Sequence, residues 1–317
     1  MILVLRALGV GDLATAVPAL RALRGAYPHR ELVLAAPAWL APLVDLVGVV
    51  DRLVPADGLG QLDRSVGRPR VAVNLHGRGP QSHRVLAATR PGRLLAFANA
   101  DAGHHDGPDW AQDAHEVRRW CGLLEAYGVS ADPGDLALRR PAAGSTPTGV
   151  SVVHPGSKVP AKRWPPVRFA AVARHLTATG HRVVVTGSAA EAPLARQVTR
   201  FAGLPDHANL AGRTDLHDLA ALVAHARLLV SGDTGIAHLA TAYHTPSVLL
   251  FGPVAPARWG PPADRPYHRA LCVDGRDWPG WTGVGPHPSL ASVAVDEVLA
   301  ALDEVEQSAR TIRAVAA

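Results

Sequence analysis

The chain has 317 residues, 48% of them apolar and 19% charged, which fits two soluble globular domains and excludes wholesale disorder. Its net charge of +5 is spread over arginines scattered among Asp and Glu, with no basic run of five and no aromatic interleaving, so nucleic acid is not an expected partner. Only two of the 32 basic residues are lysines, Lys158 and Lys162, and both fall in VVHPGSKVPAKRWPP.

Residues 2–8 (ILVLRAL) read as a short buried strand, followed by GVGD and a helical pattern to about Tyr27, with Pro28 as the stop. Arg6 and Asp12 interrupt this apolar start and no basic region precedes it, which argues against a signal peptide. No segment reaches the ~18 apolar residues that cross a bilayer. The expected localisation is cytoplasmic, with room for peripheral membrane contact. ELVLAAP (31–37) is a second strand, WLAPLVDLV a helix, and RVAVNLHG (70–77) a third strand with a loop after it. The tract HHDGPDWAQDAH (104–115) gathers His and Asp but reads as a solvated loop, and no metal site is expected. HEVRRWCGLLEAYGV (115–129) has helical spacing. Cys121 and Cys272 lie far apart and outside any CxxC pair, as in a protein of a reducing compartment.

RRPAAGSTPTG (139–149) reads as a linker, and the alternation then restarts. GVSVVHPG is a strand and loop, PPVRFAAVARHLTATG a helix, HRVVVTGS a strand, and APLARQVTRFAG and LHDLAALVAHA helices. ARLLVSGDTG is a strand and turn, IAHLATAYH a helix, PSVLLFGP a strand, and the stretch from about Ser289 one long helix of unassigned domain. The expected fold is α/β: two facing Rossmann-like domains with parallel sheets, with ligands in an interdomain cleft outside the carboxyl ends of the strands. The domains are expected at 1–143 and 144–288, with a C-terminal helix at 289–317.

Three strand-end loops carry candidate chemistry. GVGD is not a GxGxxG fingerprint; Asp12 is either an N-cap or a general base aimed at a ligand. SGDTGIAHLA opens a helix, where the N–H groups of Thr234 and Gly235 would form an anion site, Asp233 could cap, and His238 is either a satisfied, partly buried ring or a ligand contact. HPGSKVPAKRW supplies Ser157, Lys158 and Lys162, and a compact ammonium suits a phosphate oxygen. Amides and ammonium groups so arranged would stabilise a departing diphosphate without a metal.

Taken together these motifs resemble glycosyltransferase family 9, the ADP-heptose:lipopolysaccharide heptosyltransferases. RALGVGDLATAVPALRAL is similar to the family's opening. HPGSKVPAKRWPPVRFAAVA, VVVTGSAAE, NLAGRTDLHDLAALVAHARLLVSGDTGIAHLATAYHTPSVLLFGP and PARWGP follow its C-terminal signatures in order. The resemblance implies a GT-B fold, inverting and metal-independent transfer, no cofactor, and a nucleotide-diphosphate sugar, an ADP-heptose above all, as co-substrate. The N-terminal domain would then serve the acceptor and the C-terminal domain the donor. By motif, Asp12 would be the general base; Lys162 and Ser157 would meet the donor phosphates. Asp233, Thr234, Gly235 and His238 would hold the diphosphate and sugar, Glu191 the ribose, and the Arg213–Thr214 turn the base. Lys158 joins the donor set by its spacing alone. The 74–83 loop, with His76, Arg78 and Gln81, is assigned to the acceptor. The chain departs from the family in having ALGVGD where a serine-rich run usually precedes GD, which bears on acceptor contacts. The arginine- and alanine-rich composition points to a high-GC genome, whose cell need not make lipopolysaccharide, so the acceptor widens to another glycan or a small natural product. A sugar-nucleotide 2-epimerase-like isomerase and a non-catalytic nucleotide-sugar-binding protein are the alternative readings.

Overall fold

The computed structural model describes residues 1–273 and 285–316. The chain divides into two compact units, Met1–Arg139 and Arg140–Ala317. In unit 1 the chain runs β1 (Ile2–Leu5), α1 (Val10–Thr15), α2 (Val17–Ala26), β2 (Leu32–Ala36), α3 (Ala41–Val47), β3 (Arg52–Pro55), β4 (Val71–Asn74), α4 (Gln81–Ala87), β5 (Arg93–Leu95) and α5 (Glu116–Ala126). The five strands are parallel, in the order β3-β2-β1-β4-β5. The central strands are buried on both faces, which is why ILVL and VAVN read as continuous apolar runs.

Unit 2 runs β6 (Ser151–His154), α6 (Pro166–Ala178), β7 (Val183–Val185), α7 (Ala192–Ala202), α8 (Leu216–Ala224), β8 (Leu228–Gly232), α9 (Gly235–Tyr243), β9 (Ser247–Leu250), α10 (Pro256–Trp259), β10 (His268–Leu271), α11 (Pro288–Ser292) and α12 (Val295–Ala316). Its sheet is also parallel, in the order β10-β9-β8-β6-β7. Val298, Ala301, Leu302 and Val305 of α12 enter the core that also holds Val153, Phe169, Val230 and Leu250, so the C-terminal helix belongs to unit 2. The end of the expected 289–317 helix, Ala317, lies outside the described residues, as do positions 274–284 of the expected 144–288 domain.

Both sheets are α/β and parallel as the alternation implies, and several local expectations are corrected. The first helix is two, because Pro18, lacking an N–H and crowding the carbonyl four residues back, starts a new segment after Ala16. The 74–83 loop is shorter than expected, since α4 begins at Gln81. The C-terminal helix is interrupted at Val293, which is extended, and restarts where the Glu297 carboxylate accepts the Ala294 N–H at 2.7 Å. The 104–115 segment is anchored and not merely solvated. His104 Nε2 lies 3.0 Å from the Tyr127 hydroxyl, and Trp110 packs edge-on against Phe97, ring centroids 5.0 Å apart. No helix among the described residues is long and apolar enough to cross a membrane.

Candidate functional site

In an open parallel sheet, ligands gather where the strand order reverses. Those switch points fall between β1 and β4 in unit 1 and between β6 and β8 in unit 2. The three loops singled out in the sequence leave β1, β6 and β8.

In unit 1, Gly9 is the N-cap of α1 and Asp12 is the third residue of the helix. Asp12 Oδ2 accepts the Gly9 N–H at 3.0 Å, meeting a donor that the helix end would leave unsatisfied. Asp12 is therefore not the N-cap itself but its reciprocal partner. Its other oxygen, Oδ1, lies 3.5 Å from Nη2 of Arg6, and the side chain keeps 28% of its surface exposed. Arg6 is buried where β1 ends. Its Nε donates to the Asp12 carbonyl at 2.9 Å, its Nη1 to the Leu75 carbonyl, and its Nη2 to Thr15 Oγ1 at 3.2 Å and Glu116 Oε1 at 3.1 Å. The guanidinium also lies 4.6 Å from the Trp120 ring centroid.

His76 follows β4 and shares this neighbourhood. Burial first, and then the Arg6 charge, hold its pKa below the ordinary value, while the Asp12 charge acts the other way. The ring is neutral near pH 7, and its buried Nδ1 has no hydrogen-bond partner among the described residues. Arg78 and Gln81 are exposed on the turn that leads into α4 and its first residue. The structure thus brings His76 beside Asp12.

In unit 2 the β6 and β8 loops meet. Lys162 Nζ lies 2.5 Å from Asp233 Oδ2, and the Asp233 side chain is buried. Asp233 does not cap α9; the N-cap is Thr234, in an extended conformation and without a side-chain cap bond. Thr234 Oγ1 is buried and has no hydrogen-bond partner among the described residues. The first turn of α9 therefore receives no oxygen from its own cap, which leaves its N–H groups for an outside anion. Gly232 has little room for a side chain, since a Cβ there would stand 3.0 Å from the Lys162 carbonyl. The Lys162 loop is pinned: Trp164 is buried, donates its Nε1–H to the Val293 carbonyl at 3.1 Å and packs edge-on against Phe169. Ser157 is buried, and its carbonyl accepts from Arg163 Nε at 2.7 Å. Lys158 is exposed. His238, one turn into α9, meets the Trp259 ring at 5.8 Å.

Glu191 stands at the carboxyl end of β7, where its Oε2 accepts from the backbone N–H and hydroxyl of Ser188, each at 2.8 Å. The carboxylate lies over the Cα of Gly156, whose hypothetical Cβ would come within 2.4 Å of it. Only a glycine permits that approach. The Arg213–Thr214 turn is tied to the same place, because Gly212 N–H donates to the Gly187 carbonyl at 2.9 Å. His154 sits at the end of β6 with Nδ1 3.0 Å from Thr186 Oγ1; burial holds it below its ordinary pKa, and the Glu191 charge partly opposes this. Unit 2 thus gathers an ammonium, a helix N-terminus and a carboxylate along one sheet edge, groups suited to a diphosphate and a hydroxyl-bearing ligand.

Residues 109–272, just over half the chain, match the sequence profile of glycosyltransferase family 9 (heptosyltransferase). The chain belongs to glycosyltransferase family 9. It is a glycosyltransferase, and this membership favours group transfer over the isomerase and binding-protein readings. A lipopolysaccharide heptosyltransferase 2 from Salmonella typhimurium is 27% identical over 94% of this chain and 96% of its own length. The E. coli ADP-heptose lipopolysaccharide heptosyltransferase II structure covers 98% of this chain and 99% of its own, with a TM-score of 0.77 at 24% identity. A glycosyltransferase family 9 structure from Veillonella parvula covers 96% and 97%, with a TM-score of 0.79 at 21% identity. These likenesses show that the family 9 fold extends over both units.

Three polar residues of this family 9 chain were missed as site neighbours in the sequence: Arg6, Glu116 and His154. The first two carried a signal. A single arginine inside ILVLRAL cannot be buried without a counter-charge, and Glu116 is an acid inside an otherwise core-facing helix start. Nothing in the sequence tied one to the other.

Proposed function

We propose that the protein transfers a heptose from ADP-heptose to a hydroxyl of a glycan acceptor, with inversion at the anomeric carbon and without a metal ion. The observation that carries this reading is the uncapped start of α9, whose N–H dipoles offer positive potential to a leaving diphosphate, with the Lys162 ammonium anchored beside it by Asp233. The names of the relatives, which specify heptose, ADP-heptose and lipopolysaccharide, support the choice of donor and of a glycan acceptor.

In this reading Asp12 takes the proton of the acceptor hydroxyl as its oxygen attacks the anomeric carbon. The bond from that carbon to the diphosphate oxygen breaks on the opposite face, and its electron pair stays on the diphosphate. Lys162 and the first N–H groups of α9 stabilise the growing negative charge, with Ser157, Thr234 and Gly235 beside the phosphates. Asp233 and His238 hold the sugar and diphosphate, Glu191 accepts from the ribose hydroxyls, and the Arg213–Thr214 turn borders the base. Lys158 adds charge at the loop surface, and His76, Arg78 and Gln81 lie on the acceptor side. Chelator is expected to leave the rate unchanged.

The test is ADP release from ADP-heptose with and without a lipopolysaccharide-core acceptor. Release that requires acceptor supports transfer; sugar isomerisation without acceptor would sink it. Asp12→Ala is expected to lower kcat by ~10²–10⁴-fold while ADP affinity in calorimetry stays near wild type. A variant keeping more than about a tenth of the rate would remove Asp12 as the base.

A further inference from the structure

We propose that Arg6, its charge balanced by the buried Glu116, is the positioning residue that holds the Asp12 carboxylate in register for proton transfer. The proposal rests on the reading of Asp12 as the proton acceptor.

Arg6 touches three separate pieces of unit 1. Its Nε donates to Asp12's own carbonyl at 2.9 Å and so fixes the backbone of the GVGD turn. Its Nη1 donates to the Leu75 carbonyl on the segment that carries His76. Its Nη2 reaches Thr15 Oγ1 at 3.2 Å and Glu116 Oε1, on α5, at 3.1 Å. The Thr15 hydroxyl in turn donates to the Asp12 carbonyl at 3.0 Å. Only a planar fork serves three directions at once; an ammonium on a flexible stem would meet one or two.

A guanidinium whose only counter-charge was Asp12 would pair with it tightly and weaken it as a base. Glu116 holds Arg6 more closely, 3.1 Å against 3.5 Å for Asp12 Oδ1. Glu116 is itself fixed by the Trp120 indole N–H at 2.9 Å and by Arg119. The set therefore contains two buried guanidinium groups, Arg6 and Arg119, one buried carboxylate, Glu116, and the partly exposed Asp12. The Asp12 side chain stays partly exposed, orientated by Arg6 at 3.5 Å and by the Gly9 N–H at 3.0 Å. Around Asp12 stand Gly9 N–H on its own helix, Arg6 at the end of β1, and neutral His76 beyond β4; Glu116 and Arg119 of α5 act on it through Arg6.

The experiment is steady-state kinetics resolved into kcat and acceptor KM, with ADP affinity by calorimetry, for wild type, Arg6→Gln, Arg6→Lys, Glu116→Gln and Asp12→Asn, with Thr15→Val as a milder perturbation of the same clamp. Arg6→Gln is expected to lower kcat by roughly 10²-fold, as for a misplaced reacting group, with acceptor KM near wild type. Glu116→Gln should lose rate in the same way, because it frees the fork that Arg6 holds. Arg6→Lys should recover only part of the rate lost in Arg6→Gln, and Thr15→Val should lose rate several-fold. ADP affinity should stay unchanged throughout. A folded Arg6→Gln enzyme that keeps its kcat, or a drop in rate matched by a drop in ADP affinity, would overturn the proposal. So would full activity in Thr15→Val and Arg6→Lys if Arg6→Gln does not fold. An inactive Asp12→Asn beside a fully active Arg6→Gln removes this proposal alone; an active Asp12→Asn removes the base assignment as well.

Discussion

Unit 1 buries Arg6, Glu116 and Arg119 as charges, whereas unit 2 buries His181 and His268, and half-buries His154, as rings bonded to the hydroxyls of Ser151, Ser247 and Thr186. The two solutions to burying polar groups respond to different disturbances. A charge network is costly when one member is deleted, because its partner stays buried and unpaired. A neutral histidine is costly when protons become available, because it must either charge in a dry site or unfold. Burial holds His154 and His181 below their ordinary value and pushes His268 down to about 3. Unit 1 has neutral histidines of its own in His76 and His83, but its largest buried polar side chain is Arg6, which does not titrate.

Deleting a charge should therefore disturb unit 1 most. Glu116→Leu leaves Arg6 and Arg119 without their shared carboxylate and is expected to cost ~3–5 kcal/mol, read as a shift of the denaturation midpoint with exchange protection lost first in β1, β4 and α5. Acid should do the reverse. The folded affinity of these histidines for protons is lower than the unfolded one, so their contribution is complete above about pH 6.5 and is lost as pH falls through that value. Between pH 7.5 and 5.5 His268 is expected to withdraw on the order of 1 kcal/mol, and His154 and His181 act in the same direction. Hydrogen exchange at β6, β7, β9 and β10 should then rise before exchange at β1 and β4; simultaneous softening of both sheets would erase the contrast. Ser247→Ala should cost about 1 kcal/mol in thermal unfolding, the worth of one buried hydrogen bond. Gly156→Ala, which would push the Glu191 carboxylate off Ser188, should cost about 1 kcal/mol in stability and weaken ADP binding by roughly tenfold if Glu191 meets the ribose.

The central strands were legible because burial on both faces leaves continuous apolar runs such as ILVL at β1 and LLV in β8. The edges were not. Strands β3, β5 and β10 are three or four residues long and include Arg52, Arg93 and His268, residues that only an edge or a strand end accommodates. The candidate loops were found because a parallel sheet sends all its carboxyl ends the same way, so Asp12, Lys162 and Asp233 could be placed without knowing their partners. The partners themselves were out of reach. Arg6 and Glu116 are 110 positions apart and Lys162 and Asp233 are 71 apart, and pairing over such separations is fixed by packing, which leaves no periodicity to read.

The docking of α12 bears on how the protein is made. Every residue of the unit 1 core lies before Arg140, so that unit can close while the rest of the chain is still being synthesised. The core of unit 2 includes Val298, Ala301, Leu302 and Val305 beside strands begun at Ser151. The whole stretch from Ser151 to Ala294, a little under half of the polypeptide, must therefore emerge from the ribosome with its apolar faces uncovered before this helix arrives to seal them. A nascent chain stalled short of Val295 would present that unsealed sheet to chaperones, beside a first half already folded.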